Sequence, residues 1–167
     1  VLLWRSYAVG LPATVKFEGE KVLILDQNGR TRWTASIPHL GSGDGMGWAV
    51  TRPDRFLVAD VDQDGGVEVV INVIADNPAD GTGRVVCYSQ DGRVRWEFAS
   101  GRRFKDLYGE YAQNYTVHIL RLVRNGGRSY VLSVAPHRLW HPCQVALLDP
   151  STGKIVEEFW HPGAITH

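Results

Sequence analysis

Asp60, Asp62 and Asp64 stand at alternate positions, Gly65-Gly66 follows, and Glu68 closes the run. Oxygen donors at this density suit a hard cation. Calcium takes about six to eight oxygens in irregular geometry, so Ca2+ is the natural candidate. The glycine pair permits the sharp turn that returns Glu68 towards the three aspartates. Four carboxylates this close repel at neutral pH unless a positive charge neutralises them. The plainer reading is an acidic β-turn that stays solvated. An EF-hand would need its bidentate glutamate where this chain has Ile71.

Strands must position such a loop. Phe56-Leu57-Val58-Ala59 enters it, and Val67 to Ile74 leaves it. Both are short, rich in β-branched or aromatic residues, and bounded by turn residues. This strand–acidic loop–strand unit resembles the FG-GAP or VCBS-type repeat of integrin α-subunit propellers and bacterial secreted proteins. The resemblance implies a calcium held by Asp60, Asp62, Asp64, the Gly66 carbonyl and Glu68. Aspartate is commoner than glutamate at the last of these positions, and Glu68 keeps the charge with a longer reach. The family also implies an extracytoplasmic location, periplasmic or cell-surface.

Repeats set the expected architecture. Val22 to Trp33, Val85 to Trp96 and Val145 to Val156 read as three hairpins. Asn28-Gly29 and Asp91-Gly92 are strong tight-turn signals. Gly29, Gly92 and Gly153 stand 63 and then 61 positions apart. Between them, Asp64 to Val73 matches Asn125 to Val134 at the same offset of 61. In that alignment Arg121, Val123, Asn125 and Ser129 replace Asp60, Asp62, Asp64 and Glu68, so the second copy loses its acids. Two hairpins per unit is the size of a propeller blade. The chain is therefore expected to be all-β, a single partial β-propeller over residues 1–167 with about two and a half four-stranded antiparallel blades. The divisions are a hairpin of a first incomplete blade at 20–38, a blade with the calcium loop at 56–100, and a blade with a degenerate loop at 115–160. Trp33 and Trp96, at the same distance from their turns, should pack between neighbouring blades.

Composition bounds the function. Lys+Arg and Asp+Glu both number 18, so the formal charge is zero and nothing favours a nucleic acid partner. The 44% apolar content is ordinary for a domain with a real core. No apolar run is long enough to span a membrane as a helix. The abrupt ends suggest a piece of a longer protein, and Val1-Leu2-Leu3-Trp4 is compatible with the trailing end of an upstream membrane anchor. Open apolar faces should be covered by further blades of the same polypeptide or by another chain. Cys87 and Cys143 lie in no zinc pattern. They read as buried thiols, or as one disulfide if the protein is exported.

Trp140-His141-Pro142 and Trp160-His161-Pro162 repeat a tripeptide, with His137 just before the first. His137, Trp140, His141, Trp160 and His161 are a second candidate site, for a sugar ring, a peptide or a transition metal. The competing reading is that these residues pack the blade edge and end strands. Gly41 to Gly47 lacks the Gly-Lys-Ser/Thr ending of a phosphate loop, and Asn77 to Gly83 reads as a turn-rich connection. Gly101 to Tyr115 interleaves basic and aromatic residues, but in a neutral protein it reads as an inter-blade link with a single helical turn. No nucleophile elbow or triad is visible, so the chain reads as non-catalytic. The alternative starts from Asp149-Pro150-Ser151-Thr152-Gly153, which resembles the Asp-x-x-Thr-Gly blade turn of pyrroloquinoline-quinone dehydrogenases. There Glu157 replaces the expected tryptophan.

Overall fold

A computed structural model describes residues 10–36, 55–73, 83–105, 107, 109–139, 142–163 and 165. Among them the chain is all-β. The strands are β1 (Pro12–Glu18), β2 (Lys21–Asp26), β3 (Thr31–Ser36), β4 (Phe56–Ala59), β5 (Glu68–Val73), β6 (Arg84–Tyr88), β7 (Val94–Ala99), β8 (Phe104–Lys105), β9 (Glu110–Tyr111), β10 (Ile119–Asn125), β11 (Arg128–Pro136), β12 (Cys143–Leu148) and β13 (Ile155–His161). Three antiparallel sheets follow chain order: β1-β2-β3, β4-β5-β6-β7 and β10-β11-β12-β13. None of them closes on itself. No described helix is long and apolar enough to cross a membrane.

The second sheet lies between the other two. Val69, Ile71, Val86 and Tyr88 pack with Val15, Val22 and Ile24 of the first sheet. Val70, Val85, Cys87, Trp96 and Phe98 pack with Leu120, Val131, Ala146 and Leu148 of the third. Both faces of β5 are therefore buried, and its apolar run is continuous for that reason.

A tryptophan joins each pair of sheets. The Trp33 indole N–H donates to the Gln90 carbonyl at 3.1 Å, and that of Trp96 donates to the Pro150 carbonyl at 2.7 Å. Each indole covers the turn glycine of the next sheet. A Cβ on Gly92 would lie 2.9 Å from the Trp33 ring, and one on Gly153 would lie 2.5 Å from Trp96. The expected equivalence of the two tryptophans holds, although Trp33 is only half-buried while Trp96 is buried.

Several expectations need correction. The first sheet has a third strand, β1, outside the expected 20–38 hairpin. Its exposed Lys16 and Glu18 hide a strand that buries little. The link at 101–115 carries the short β8–β9 hairpin, not a helical turn, among its described residues. The offset of 61 holds for the middle strands, where Val70↔Cys87 and Asn72↔Val85 recur as Val131↔Leu148 and Ser133↔Ala146, but it misplaces β10, which is shifted by four residues relative to β4. Arg121 and Val123 are not loop residues but strand residues, paired with Leu132 and Tyr130. The ladder runs on through Arg124↔Ser129 and Asn125↔Arg128 to a tight turn at Gly126-Gly127, both with positive φ. In the second sheet, by contrast, pairing stops at Ala59↔Glu68 and residues 60–67 bulge out.

Candidate metal centre

The loop at 60–67 is shaped from within. Gly65 has φ 91° and Gln63 φ 64°, the latter a left-handed conformation that costs an ordinary residue roughly 1–2 kcal/mol. Carboxylates take up the loop's own amides. The Gly65 N–H donates to Asp60 Oδ2 at 3.1 Å, and the Gly66 N–H to Asp64 Oδ1 at 2.7 Å. The Val61 N–H donates to Glu68 Oε2 at 3.1 Å. Val61 is fully buried and pins the loop to the core between the second and third sheets.

These turns gather the acids. One ligand atom from each of Asp60, Asp62, Asp64 and Glu68 lies within 4.8 Å of the others, a cluster able to hold a metal ion. Asp60 Oδ1 is buried and accepts no hydrogen bond. A Cβ on Gly66 would stand 3.0 Å from Asp64 Oδ1 and 3.2 Å from Glu68 Oε1, so a larger residue would press on the two carboxylates. A shallow groove of about 450 Å³ leads from Asp64 and Glu68 past Asp91 to solvent.

Arg95 is the residue that the sequence did not reveal. From β7 its guanidinium reaches Asp62 Oδ2 at 2.6 Å and Glu68 Oε1 at 2.8 Å, with Asp64 at 3.8 Å. It supplies one positive charge against four negative ones, so the cluster keeps an excess of acid. Burial raises the Glu68 pKa above the usual carboxylate value, and the Val61 N–H only partly offsets it. For Arg95, burial acts downwards, but the bond to Asp62 and the charges of Asp62 and Glu68 outweigh it and hold the group above its ordinary value. The one available signal was the shared Gly-Arg-x-Arg-Trp of Gly29 to Trp33 and Gly92 to Trp96. Arg32 occupies the matching position in the first sheet, where no acidic loop meets it among the described residues, and its Nε and Nη1 have no acceptor there.

The loop also touches the third sheet. Gln63 Nε2 donates to Ser129 Oγ at 2.8 Å, and Ser151 Oγ donates to Asp62 Oδ2 at 3.4 Å. A cation here would sit beside a joint between sheets.

The second candidate site is only partly brought together. His137 is buried, stacks edge-on against Tyr115 at 4.9 Å, and its Nε2 lies 3.0 Å from the Ala112 carbonyl. Its pKa is lowered, chiefly by burial. Trp160 meets Tyr115 from another side at 5.7 Å and carries the Arg102 guanidinium over its ring at 5.2 Å. His161 turns to the Gly163 backbone through Nδ1. Trp140 and His141 lie outside the described residues, as do Gly41 to Gly47 and 77–82. Cys87 and Cys143 are buried and free, and burial, with Glu68 adding to it, pushes the Cys87 thiol up to about 12.

No protein-family model, curated protein or solved structure matches the chain. The likeness to calcium-binding repeats therefore rests on residues 56–74 and on the geometry above.

Proposed function

We propose that this chain is a non-catalytic module, part of a calcium-stabilised β-propeller of the FG-GAP/VCBS type. The four-stranded sheets would be its blades and the three-stranded sheet an incomplete one. Asp60, Asp62, Asp64, the Gly66 carbonyl and Glu68 would hold one calcium at about 2.3–2.6 Å. The observation that carries this reading is Asp60 Oδ1, a buried oxygen without a donor inside a cluster of four acids and one arginine. A hard cation would satisfy that oxygen and the excess charge together. Its role would be structural: the ion fixes a loop that leans on the neighbouring sheet, and so supports a binding surface elsewhere. An extracytoplasmic setting, where calcium is abundant, fits this role by analogy alone. Further blades of the same polypeptide, or another chain, would cover the exposed Ile155, Val156 and Phe159 of β13.

Calorimetric titration of the whole chain with calcium tests the reading. One equivalent should bind, and magnesium, which demands a tighter octahedral shell, should bind far more weakly. Absence of heat at millimolar calcium would sink it.

A fragment of a quinone-dependent propeller dehydrogenase is the second reading. It is favoured by one turn: Asp149 Oδ1 accepts the Thr152 N–H and hydroxyl, both at 2.8 Å, beneath Trp96. A quinone absorbance band in the purified full-length protein would decide for it.

A further inference from the structure

The four acids of the loop share their oxygens between two tasks. Each commits one oxygen to a loop amide: Asp60 Oδ2 to Gly65, Asp62 Oδ1 to Asp64 at 3.4 Å, Asp64 Oδ1 to Gly66 and Glu68 Oε2 to Val61. Four oxygens remain for a cation. The Arg95 guanidinium holds two of them, Asp62 Oδ2 at 2.6 Å and Glu68 Oε1 at 2.8 Å, and stands 3.8 Å from a third, Asp64 Oδ2. The fourth, Asp60 Oδ1, is buried and has no partner. A guanidinium fork suits two carboxylates side by side, whereas a calcium ion draws on many oxygens around one centre. Asp62 Oδ2 also accepts the Ser151 hydroxyl at 3.4 Å, so both its lone pairs are taken. An ion at this site therefore needs an oxygen that Arg95 already uses, and its charge repels the guanidinium at close range. Arg95 has a way to leave. Its side chain is 25% exposed, and it lines the groove to solvent together with Asp64, Glu68 and Asp91 among the described residues.

We infer that Arg95 is the resident cation of this site and that calcium enters by exchange: the guanidinium leaves Asp62 and Glu68 and turns into the groove towards Asp91, and the ion takes its place. The inference concerns the regulation of the site and rests on the calcium reading above. Without calcium the loop stays folded around its own cation. With calcium the ion must outcompete that cation, so loading has a threshold set by how firmly Arg95 is held. The apparent affinity is the intrinsic one reduced by the fraction of molecules whose guanidinium has left.

The whole chain labelled with 15N-arginine gives the test, with the Arg95 Nε–H signal assigned by its loss in Arg95→Met. In calcium-free buffer that signal should belong to a bonded guanidinium whose Nη groups rotate slowly. Added calcium should move it to the position of a solvated arginine and free the rotation, in step with the heat of binding. Arg95→Met keeps the length of the stem and removes the charge, and should bind calcium at least about tenfold more tightly. Arg93 lines the same groove but pairs with Asp91 at 3.2 Å, so Arg93→Met should bind as the unmodified chain does. Calcium bound with the Arg95 signal unmoved would overturn the exchange and leave the calcium site standing. So would an Arg95→Met chain with no gain in affinity, or an equal gain from Arg93→Met. No calcium uptake by any of the three chains would overturn both readings. The signal of the unmodified chain decides even if Arg95→Met folds poorly.

Discussion

Two connections join corresponding strands of neighbouring sheets, and they solve the same problem differently. Between β10 and β11, Asn125 to Arg128 form a tight turn that is exposed throughout. Between β4 and β5 the ladder stops early, and 60–67 make a wide loop that buries Val61 and ends on the buried Glu68. Both contain a glycine pair, and both hairpins form. Acids are thus not needed to turn the chain. They are an addition that costs backbone strain at Gln63, buried charge at Glu68 and an unpartnered oxygen at Asp60. Features with such costs persist where something else offsets them. Arg95 offsets part, and the proposed calcium the remainder.

The largest difference should appear on removing the built-in cation. Arg95→Ala in calcium-free buffer leaves Asp62 and Glu68, with side chains 4% and 3% exposed, side by side and uncompensated. The cost should be about 3 kcal/mol, towards the low end for breaking a buried pair, because Arg95 itself is partly solvated. Arg128→Ala in the tight turn should cost under about 0.5 kcal/mol. Urea denaturation in chelator measures both. Calcium should restore much of the loss in the Arg95 variant and bind more tightly to it, since a competing charge is gone. Equal costs for the two variants would mean that the acids do not rely on Arg95.

Calcium response is the next contrast. A ligand at a hundredfold excess over its dissociation constant stabilises by about 2.7 kcal/mol. Asp62→Ala should lose that gain, whereas Asn125→Ala should keep it in full. Thermal melts with and without calcium read the difference. An unchanged response in the Asp62 variant would exclude the loop as the binding site.

Packing separates the loops even without metal. Val61 is fully buried among Val70, Val85 and Leu120, so Val61→Ala should cost about 2 kcal/mol from lost transfer energy and a residual cavity. No residue of the tight turn from Asn125 to Arg128 is buried. A Val61→Ala cost as small as that of Asn125→Ala would show that the loop is only draped over the core.

The sequence disclosed β4, the acid spacing and the glycine-to-tryptophan rhythm, because each is a local pattern. Hairpin turns and alternate carboxylates are written in neighbouring residues. Register was not: a glycine pair serves both a wide loop and a tight turn, and only hydrogen bonding to the partner strand tells them apart. Arg95 was hidden for the same reason. It lies in β7, far along the chain from Asp62, and meets it only once β4 to β7 have assembled. The His137 environment depends likewise on Tyr115 and Ala112, which no spacing rule connects to it.

The smallest expected effect concerns a direct link from the wide loop to the strand residue just after the tight turn, Gln63 Nε2 to Ser129 Oγ at 2.8 Å. Ser129 is buried, and Gln63 is exposed except for this contact. A neutral side-chain hydrogen bond of this kind contributes about 0.5–1.5 kcal/mol. Gln63→Ala and Ser129→Ala should each destabilise by an amount in that range, and the double variant by less than their sum. The cycle isolates the pair, since neither alanine creates a new contact. If calcium tightens the loop against the third sheet, the coupling should be larger in calcium than in chelator. Coupling that is zero in both conditions would mean that the wide loop and the tight turn are independent neighbours, and that an ion bound by the first cannot reach the third sheet through this bond.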